Sequence, residues 1–176
     1  FYDKLYAITG VEFDYRLEFT ESGLSELIDN LGGLNYNVPQ DMVEYGENPS
    51  IATINLKQGE QTLNGRKVLQ LLRFSNYENG VQGMCATQTS VAKSILSLIS
   101  SAKLDYVKEN ISLLLGLADT DFTAEVFAAN EGMISSYANF IKTESQYPGH
   151  ETESDNGTKV FIPDIESATS RFRQYR

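Results

Sequence analysis

Residues Leu56 to Gln88 read LKQGEQTLNGRKVLQLLRFSNYENGVQGMCATQ, and the rest of the chain is read outward from them. Gly59 marks a turn. Asn64 suits a helix N-cap, because its side-chain oxygen accepts a hydrogen bond from an orphan backbone N–H. Val68, Leu69, Leu71 and Leu72 recur as the apolar stripe of a helix that ends at Arg73. A second turn, Asn79-Gly80, leads into a glycine-bearing loop, and a further helix is expected from about Thr87. An arginine beside a polar loop that opens a helix is a sound way to hold a phosphate, since helix N-termini attract anions.

Upstream, Val11 to Phe19 (VEFDYRLEF) alternates strictly. Val11, Phe13, Tyr15, Leu17 and Phe19 share one face, which predicts a strand with one side buried and one wet. Thr20 or Ser22 caps the next helix, whose stripe is Leu24, Leu27, Ile28 and Leu31, and Gly32-Gly33 ends it. Leu34 to Val38 is a short strand stopped by Pro39, residues 40–50 are a loop, and Ile51 to Leu56 is another short strand. Downstream, Thr87 to Leu104 is a long helix with Val91, Ile95, Leu98 and Ile99 inward. Leu104 to Leu117 is a second helix, Asp121-Phe122-Thr123 starts a third, and Met133 to Lys142 continues the helical pattern. Glu144 to Thr158 is an exposed loop, Lys159 to Ile162 a short strand, and Asp164 caps a last helix over Ile165 to Arg173. Alternating strands and helices predict a single α/β domain over residues 1–176, with helices packed against a mixed β-sheet.

The central stretch resembles the hallmark of the LytR-CpsA-Psr family of bacterial cell envelopes, a run of the type l..G.q.LdG..aL.yvR.R....GD.gR..RQ. Gly59, Leu63, Gly65, Leu69, Arg73, Gly80, Gly83 and Gln88 fall in matching places. GLSELIDNLGGLNYNVP (Gly23 to Pro39) is similar to the family's f..lvd.lGGv.v.vP. YPGHE followed by NGTKVFIPDIESATSRF is similar to its closing segment. The resemblance implies a partial α/β/α sandwich. It also implies transfer of a glycopolymer from a polyprenyl-pyrophosphate lipid onto the cell wall, outside the cytoplasmic membrane. Polyprenyl-phosphate lipid or wall glycan are then the expected partners, with the membrane reached through an N-terminal anchor that lies outside this chain.

That reaction needs arginines, whose planar forks grip phosphate oxygens, and a cation to neutralise the leaving phosphate. Arg73 matches the first arginine of R.R and Gln88 the final glutamine. These two are the candidate pyrophosphate ligands. The plainer readings are an arginine satisfying carbonyls or a surface carboxylate at a helix end, and a glutamine bonding backbone. Ser75 stands where the pattern has its second arginine, Val81 where it has its acid, and Met84 and Thr87 where it has two more arginines. Charged hydrogen bonds of about 1.5–3 kcal/mol each are lost at three positions, enough to reduce catalysis by many powers of ten. The family's R.Dt and iPRD segments, which bring further arginines and magnesium-binding aspartates, are not found here. No metal or other cofactor is expected within this chain.

Composition limits the alternatives. The net charge is −10, with −8 over residues 1–56, +4 over residues 57–103 and −6 over residues 104–176. Nucleic acid is therefore not an expected partner, which speaks against a regulator that touches DNA, although older family names describe transcriptional attenuators. No apolar run spans a bilayer. The chain opens FYDKLYAITG, without a leader-like start or an initiator methionine, so a piece of a longer protein is expected. Cys85, the single cysteine, is expected to be a buried, inert thiol. His150, the single histidine, reads as a surface residue, and Glu151, Glu153 and Asp155 as a solvated acidic loop. Asn110-Ile-Ser and Asn156-Gly-Thr fit a glycosylation pattern that has no use in a bacterium. Two function classes follow: an envelope transferase with an impaired clamp, and a non-catalytic lipid- or protein-binding envelope module. The oligomeric state is left open.

Overall fold

The computed structural model describes residues 2–139 and 147–172. In chain order the elements are α1 (Tyr2–Thr9), β1 (Leu17–Phe19), α2 (Glu21–Asn30), β2 (Leu34–Val38), β3 (Met42–Tyr45), β4 (Ala52–Leu56), β5 (Gly59–Leu63) and α3 (Gly65–Arg73). There follow α4 (Val81–Ser100), α5 (Leu104–Leu115), β6 (Ala118–Thr120), α6 (Ala124–Ala129) and α7 (Glu131–Ser135), then a 3-10 turn over Tyr137–Asn139. The last elements are β7 (Gly149–Glu153), β8 (Lys159–Pro163) and α8 (Ile165–Phe172). The fold is α/β. Among the described residues the strands pair antiparallel, β1 with β6, β2 with β5, β3 with β4 and β7 with β8.

Two compact units emerge, Tyr15–Phe140 and a second made of Phe1–Asp14 with Ile141–Arg176. In the larger unit, α2 serves two cores. Thr20 caps it by accepting from the Gly23 N–H at 3.1 Å. Ile28 faces one core, with Leu34, Val38, Met42, Leu56, Leu63, Val68, Leu71, Phe74 and Val91. Leu27 and Leu31 face the other, with Val107, Leu114 and Phe127. The chain leaves α2 through Gly32 and Gly33 at φ of +82° and +92°, a conformation that glycine adopts without strain. It then turns straight into β2. Asn64 caps α3 as the sequence indicates, accepting from the Lys67 N–H at 3.0 Å.

α2 and α3 touch backbone to backbone. The Gly65 N–H donates to Asp29 Oδ1 at 2.8 Å. A Cβ on Gly65 would stand 2.1 Å from the Ser25 carbonyl oxygen, so only glycine fits. In the smaller unit, Asp164 caps α8 by accepting from the Ser167 N–H and hydroxyl at 2.9 and 2.6 Å. The Tyr147 hydroxyl donates to the Ile8 carbonyl at 2.6 Å, joining the two ends of the chain.

Several expectations are corrected. The strand expected over Val11 to Phe19 is reduced to β1, and Phe13, Tyr15 and Leu17 are exposed. Its partner β6 is only three residues long, and the Arg16 N–H bonds the Asp121 carboxylate instead of a strand. The loop expected over residues 40–50 contains β3, whose Met42 is fully buried opposite Leu56. Gly59 opens β5 rather than a simple turn; Glu60, Gln61 and Thr62 become strand because β2 offers them a ladder. The helix expected from Thr87 begins at Val81, because Gly80 takes φ +59° as N-cap and Gly83 continues the helix against Tyr77. The loop expected over Glu144 to Thr158 contains β7, held by β8, while residues 144–146 lie outside the described residues. Residues 140–142 of the helical segment expected over Met133 to Lys142, and Arg173 of the last helix, also lie outside them.

Gly65→Ala is expected to lower unfolding free energy by about 1–3 kcal/mol through overpacking, although alanine is the better helix former. Gly132→Ala, where nothing lies within 4 Å, is expected to raise it by about 0.5–1 kcal/mol. Urea unfolding of the two variants tests both signs.

Candidate functional site

The positions singled out by the family pattern gather where the end of α3 meets the start of α4. Gln88, in the second turn of α4, joins the two helices. Its Nε2 donates to the Leu72 carbonyl at 3.1 Å, satisfying one of the acceptors that a helix end leaves open.

Arg73 is the last residue of α3. Its Nε donates to Glu21 Oε1 at 2.9 Å, and its Nη2 donates to Glu21 Oε2. Two parallel donors facing two carboxylate oxygens are the geometry with which arginine also grips phosphate. Glu21 is the first residue of α2, where a carboxylate gains from the helix dipole. Side-chain exposures of 58% for Arg73 and 61% for Glu21 keep the pair in high dielectric, so it contributes no more than about 1 kcal/mol.

Ser75 answers a second carboxylate. Its N–H and hydroxyl both donate to Glu44 Oε1, at 3.0 and 3.3 Å, which ties the α3–α4 connection to β3. Val81 is exposed. Met84 is half-buried against the core that contains Phe74, and Thr87 is buried. All three lie on α4; Val81 and Met84 are in its first turn rather than on the glycine-bearing loop that the sequence suggests, and Thr87 is helical as expected.

Tyr77 closes this corner from within. Its ring meets Phe74 edge-on at 5.0 Å. Its hydroxyl is buried and, among the described residues, has no hydrogen-bond partner of normal geometry, although the Thr87 hydroxyl lies near enough to favour its ionised form. Burial is the main cause that holds the phenol above the ordinary tyrosine pKa; the Thr87 hydroxyl opposes it, and the charges of Tyr36 and Glu44 add to it.

The sequence reading misses Glu21 and Glu44. They stand 52 and 31 residues from their partners, and nothing local marks them as ligands. Cys85 is exposed, a correction to the buried thiol expected from its type. It lies on the outer face of α4, while Met84 beside it turns inward. His150 is exposed on β7, far in sequence from the α3–α4 corner. Glu151 and Glu153 lie exposed on β7 and Asp155 in the following turn. Asn110 bonds the Tyr106 carbonyl within α5. Among the described residues no three His, Cys, Asp or Glu side chains converge to hold a metal ion. No helix among them is long and apolar enough to cross a membrane.

A double-mutant cycle of Arg73→Ala and Glu21→Ala is expected to give a coupling energy of no more than about 1 kcal/mol that fades as salt is added. Tyr77→Phe is expected to stabilise the fold by up to about 1 kcal/mol, since it removes a buried donor without a partner. In the wild type the unfolded phenol ionises first, so stability is full below pH 10.0 and falls as pH rises through the folded value. Alkaline melting curves are expected to show less of that fall for Tyr77→Phe.

The chain matches solved structures over nearly its whole length. It superposes on TagV of Bacillus subtilis with a TM-score of 0.77 at 22% identity, covering 99% of this chain and 68% of that one. For a protein of Enterococcus faecalis described as a transcriptional regulator, the TM-score is 0.79 at 19% identity, covering 98% and 63%. For a LytR-Csp2A-Psr enzyme of Actinomyces oris it is 0.68 at 18% identity, covering 94% and 65%. In sequence it is 29% identical over 80 residues to an uncharacterized protein of Staphylococcus aureus, a stretch that makes up 46% of this chain and 20% of that relative. The profile of the LytR_cpsA_psr family matches residues 2–175, and the chain belongs to that family of the bacterial cell envelope.

Proposed function

We propose that this chain is a divergent LytR-CpsA-Psr domain on the outer side of the cytoplasmic membrane whose diphosphate clamp is impaired. The family's reaction, glycopolymer transfer from a polyprenyl-pyrophosphate carrier to the cell wall, then does not proceed on the groups this chain supplies. One observation carries the reading: both donors of the Arg73 fork already face the Glu21 carboxylate. An incoming diphosphate has to displace that carboxylate, and the neighbouring Glu44 adds repulsion. Ser75, Met84 and Thr87 do not replace the lost charge, because a hydroxyl or thioether carries none.

A second reading is a non-catalytic lipid- or protein-binding envelope module. Exposed Val81 favours it, since an apolar side chain stands in the first turn of α4 where the family pattern has its acid. A regulator that touches DNA is disfavoured by the net charge of −10.

Calorimetric titration with an isoprenoid diphosphate, with and without magnesium, tests the proposal. The expected result is weak, metal-independent binding that Arg73→Ala changes by less than about fivefold, the worth of an exposed ion pair. Tight magnesium-dependent binding abolished by Arg73→Ala, or transfer from a lipid-linked glycan by this chain alone, overturns it.

A further inference from the structure

Asparagine precedes glycine three times in this chain, at Asn64-Gly65, Asn79-Gly80 and Asn156-Gly157. Such a pair is chemically self-reactive. Glycine has no Cβ to shield its backbone nitrogen. That nitrogen attacks the asparagine Cγ and a nitrogen–carbon bond closes a five-membered imide. The Cγ–Nδ2 bond breaks, and ammonia leaves with the proton from the glycine amide. Water then opens the ring to aspartate or isoaspartate. The net change replaces an amide nitrogen by a water oxygen and adds one negative charge.

The fold treats the three pairs differently. At Asn64, Oδ1 accepts from the Lys67 N–H at 3.0 Å, and the buried Gly65 N–H is held by the Asp29 carboxylate at 2.8 Å. Ring closure there would undo the cap of α3 and its contact with α2. At Asn156, Oδ1 accepts from the Ser154 hydroxyl at 2.6 Å and the Thr158 N–H at 3.2 Å, while the Gly157 N–H donates to the Ser154 carbonyl at 2.8 Å. At Asn79, no hydrogen bond among the described residues holds the side chain. Gly80 has open space around it, and its N–H makes a turn bond to the Tyr77 carbonyl at 2.9 Å. Both residues are exposed.

The product also has a defined place. Asn79 Oδ1 lies over the first turn of α4, 2.0 Å from where a Cβ on Gly83 would stand. That helix has neither a side-chain cap nor an acid in its first turn. In the aspartate product a carboxylate at position 79 therefore meets the positive end of a 20-residue helix whose first turn has no acid of its own.

We propose that Asn79-Gly80 is a self-modifying site of this protein, where spontaneous deamidation of Asn79 sets a carboxylate against the N-terminus of α4. This holds whether or not the α3–α4 corner binds a diphosphate.

The test is incubation of the folded protein in mildly alkaline buffer, followed by peptide mapping with mass detection of the amide-to-acid change. The Asn79 peptide is expected to convert about tenfold faster than the Asn64 and Asn156 peptides, whose side-chain hydrogen bonds must break first. In urea the three are expected to convert at similar rates. Earlier conversion of Asn64 or Asn156 in the folded protein overturns the proposal, as does an Asn79 that keeps its amide while the unfolded chain loses it. Separately, Asn79→Asp is expected to raise Tm by about 1–3 °C at low salt. An unchanged or lowered Tm overturns the placement of the carboxylate.

Discussion

The contact between α2 and α3 governs the larger unit. Gly65 sits so close to Ser25 that no side chain fits between the helices, and its N–H is fixed by Asp29. Backbone contact at this distance leaves little freedom in the angle or register of the two helices. It lets Ile28 of α2 and Val68 and Leu71 of α3 share one core, while Leu27 and Leu31 turn to the other. It also brings the start of α2 beside the end of α3, which is where Glu21 finds Arg73.

The chemistry of the corner follows from that placement. An arginine at a helix C-terminus would otherwise satisfy its own carbonyls or reach solvent. Here a helix N-terminus delivers a carboxylate to it. The neighbouring Ser75 donates its N–H and hydroxyl to the Glu44 carboxylate, and Gln88 joins α4 to α3. Each motif position thus has a partner inside the fold or a seat in its core, Val81 excepted. The Arg73 and Ser75 donors are thus occupied by carboxylates of the protein itself. In the reading proposed above, the fold outlives the clamp because none of these bonds is needed for core packing.

Much of the architecture was legible in the sequence where local signals were strong. The Thr20, Asn64 and Asp164 caps, the Gly32-Gly33 exit and the strand over Leu34 to Val38 all rest on short-range chemistry that the fold keeps. The failures share a cause. Val11 to Phe19 alternates well, yet a strand exists only where another strand meets it, and β6 meets three residues. Conversely, polar Glu60 to Thr62 and the short run around Met42 become strand because partners exist. At the site, the positions that the family pattern singles out gather at one corner of the fold, but which groups they touch was hidden. Glu21 and Glu44 arrive from distant segments, and exposure of Cys85 depends on which face of α4 turns outward.

The pairing of β1 with β6 has a consequence for the order of assembly. Leu17 and Thr120 lie more than a hundred residues apart, whereas the β3–β4 ladder closes across a short turn. Each doubling of loop length adds only about 0.6 kcal/mol of closure entropy, but three residues of ladder have little with which to offset even that. The seam is therefore expected to close only after α5 and α6 have packed Val107, Leu114 and Phe127 onto α2. Amide protection at Leu17 to Phe19 would thus arrive late in refolding and go early in unfolding, making this seam the fuse of the larger unit.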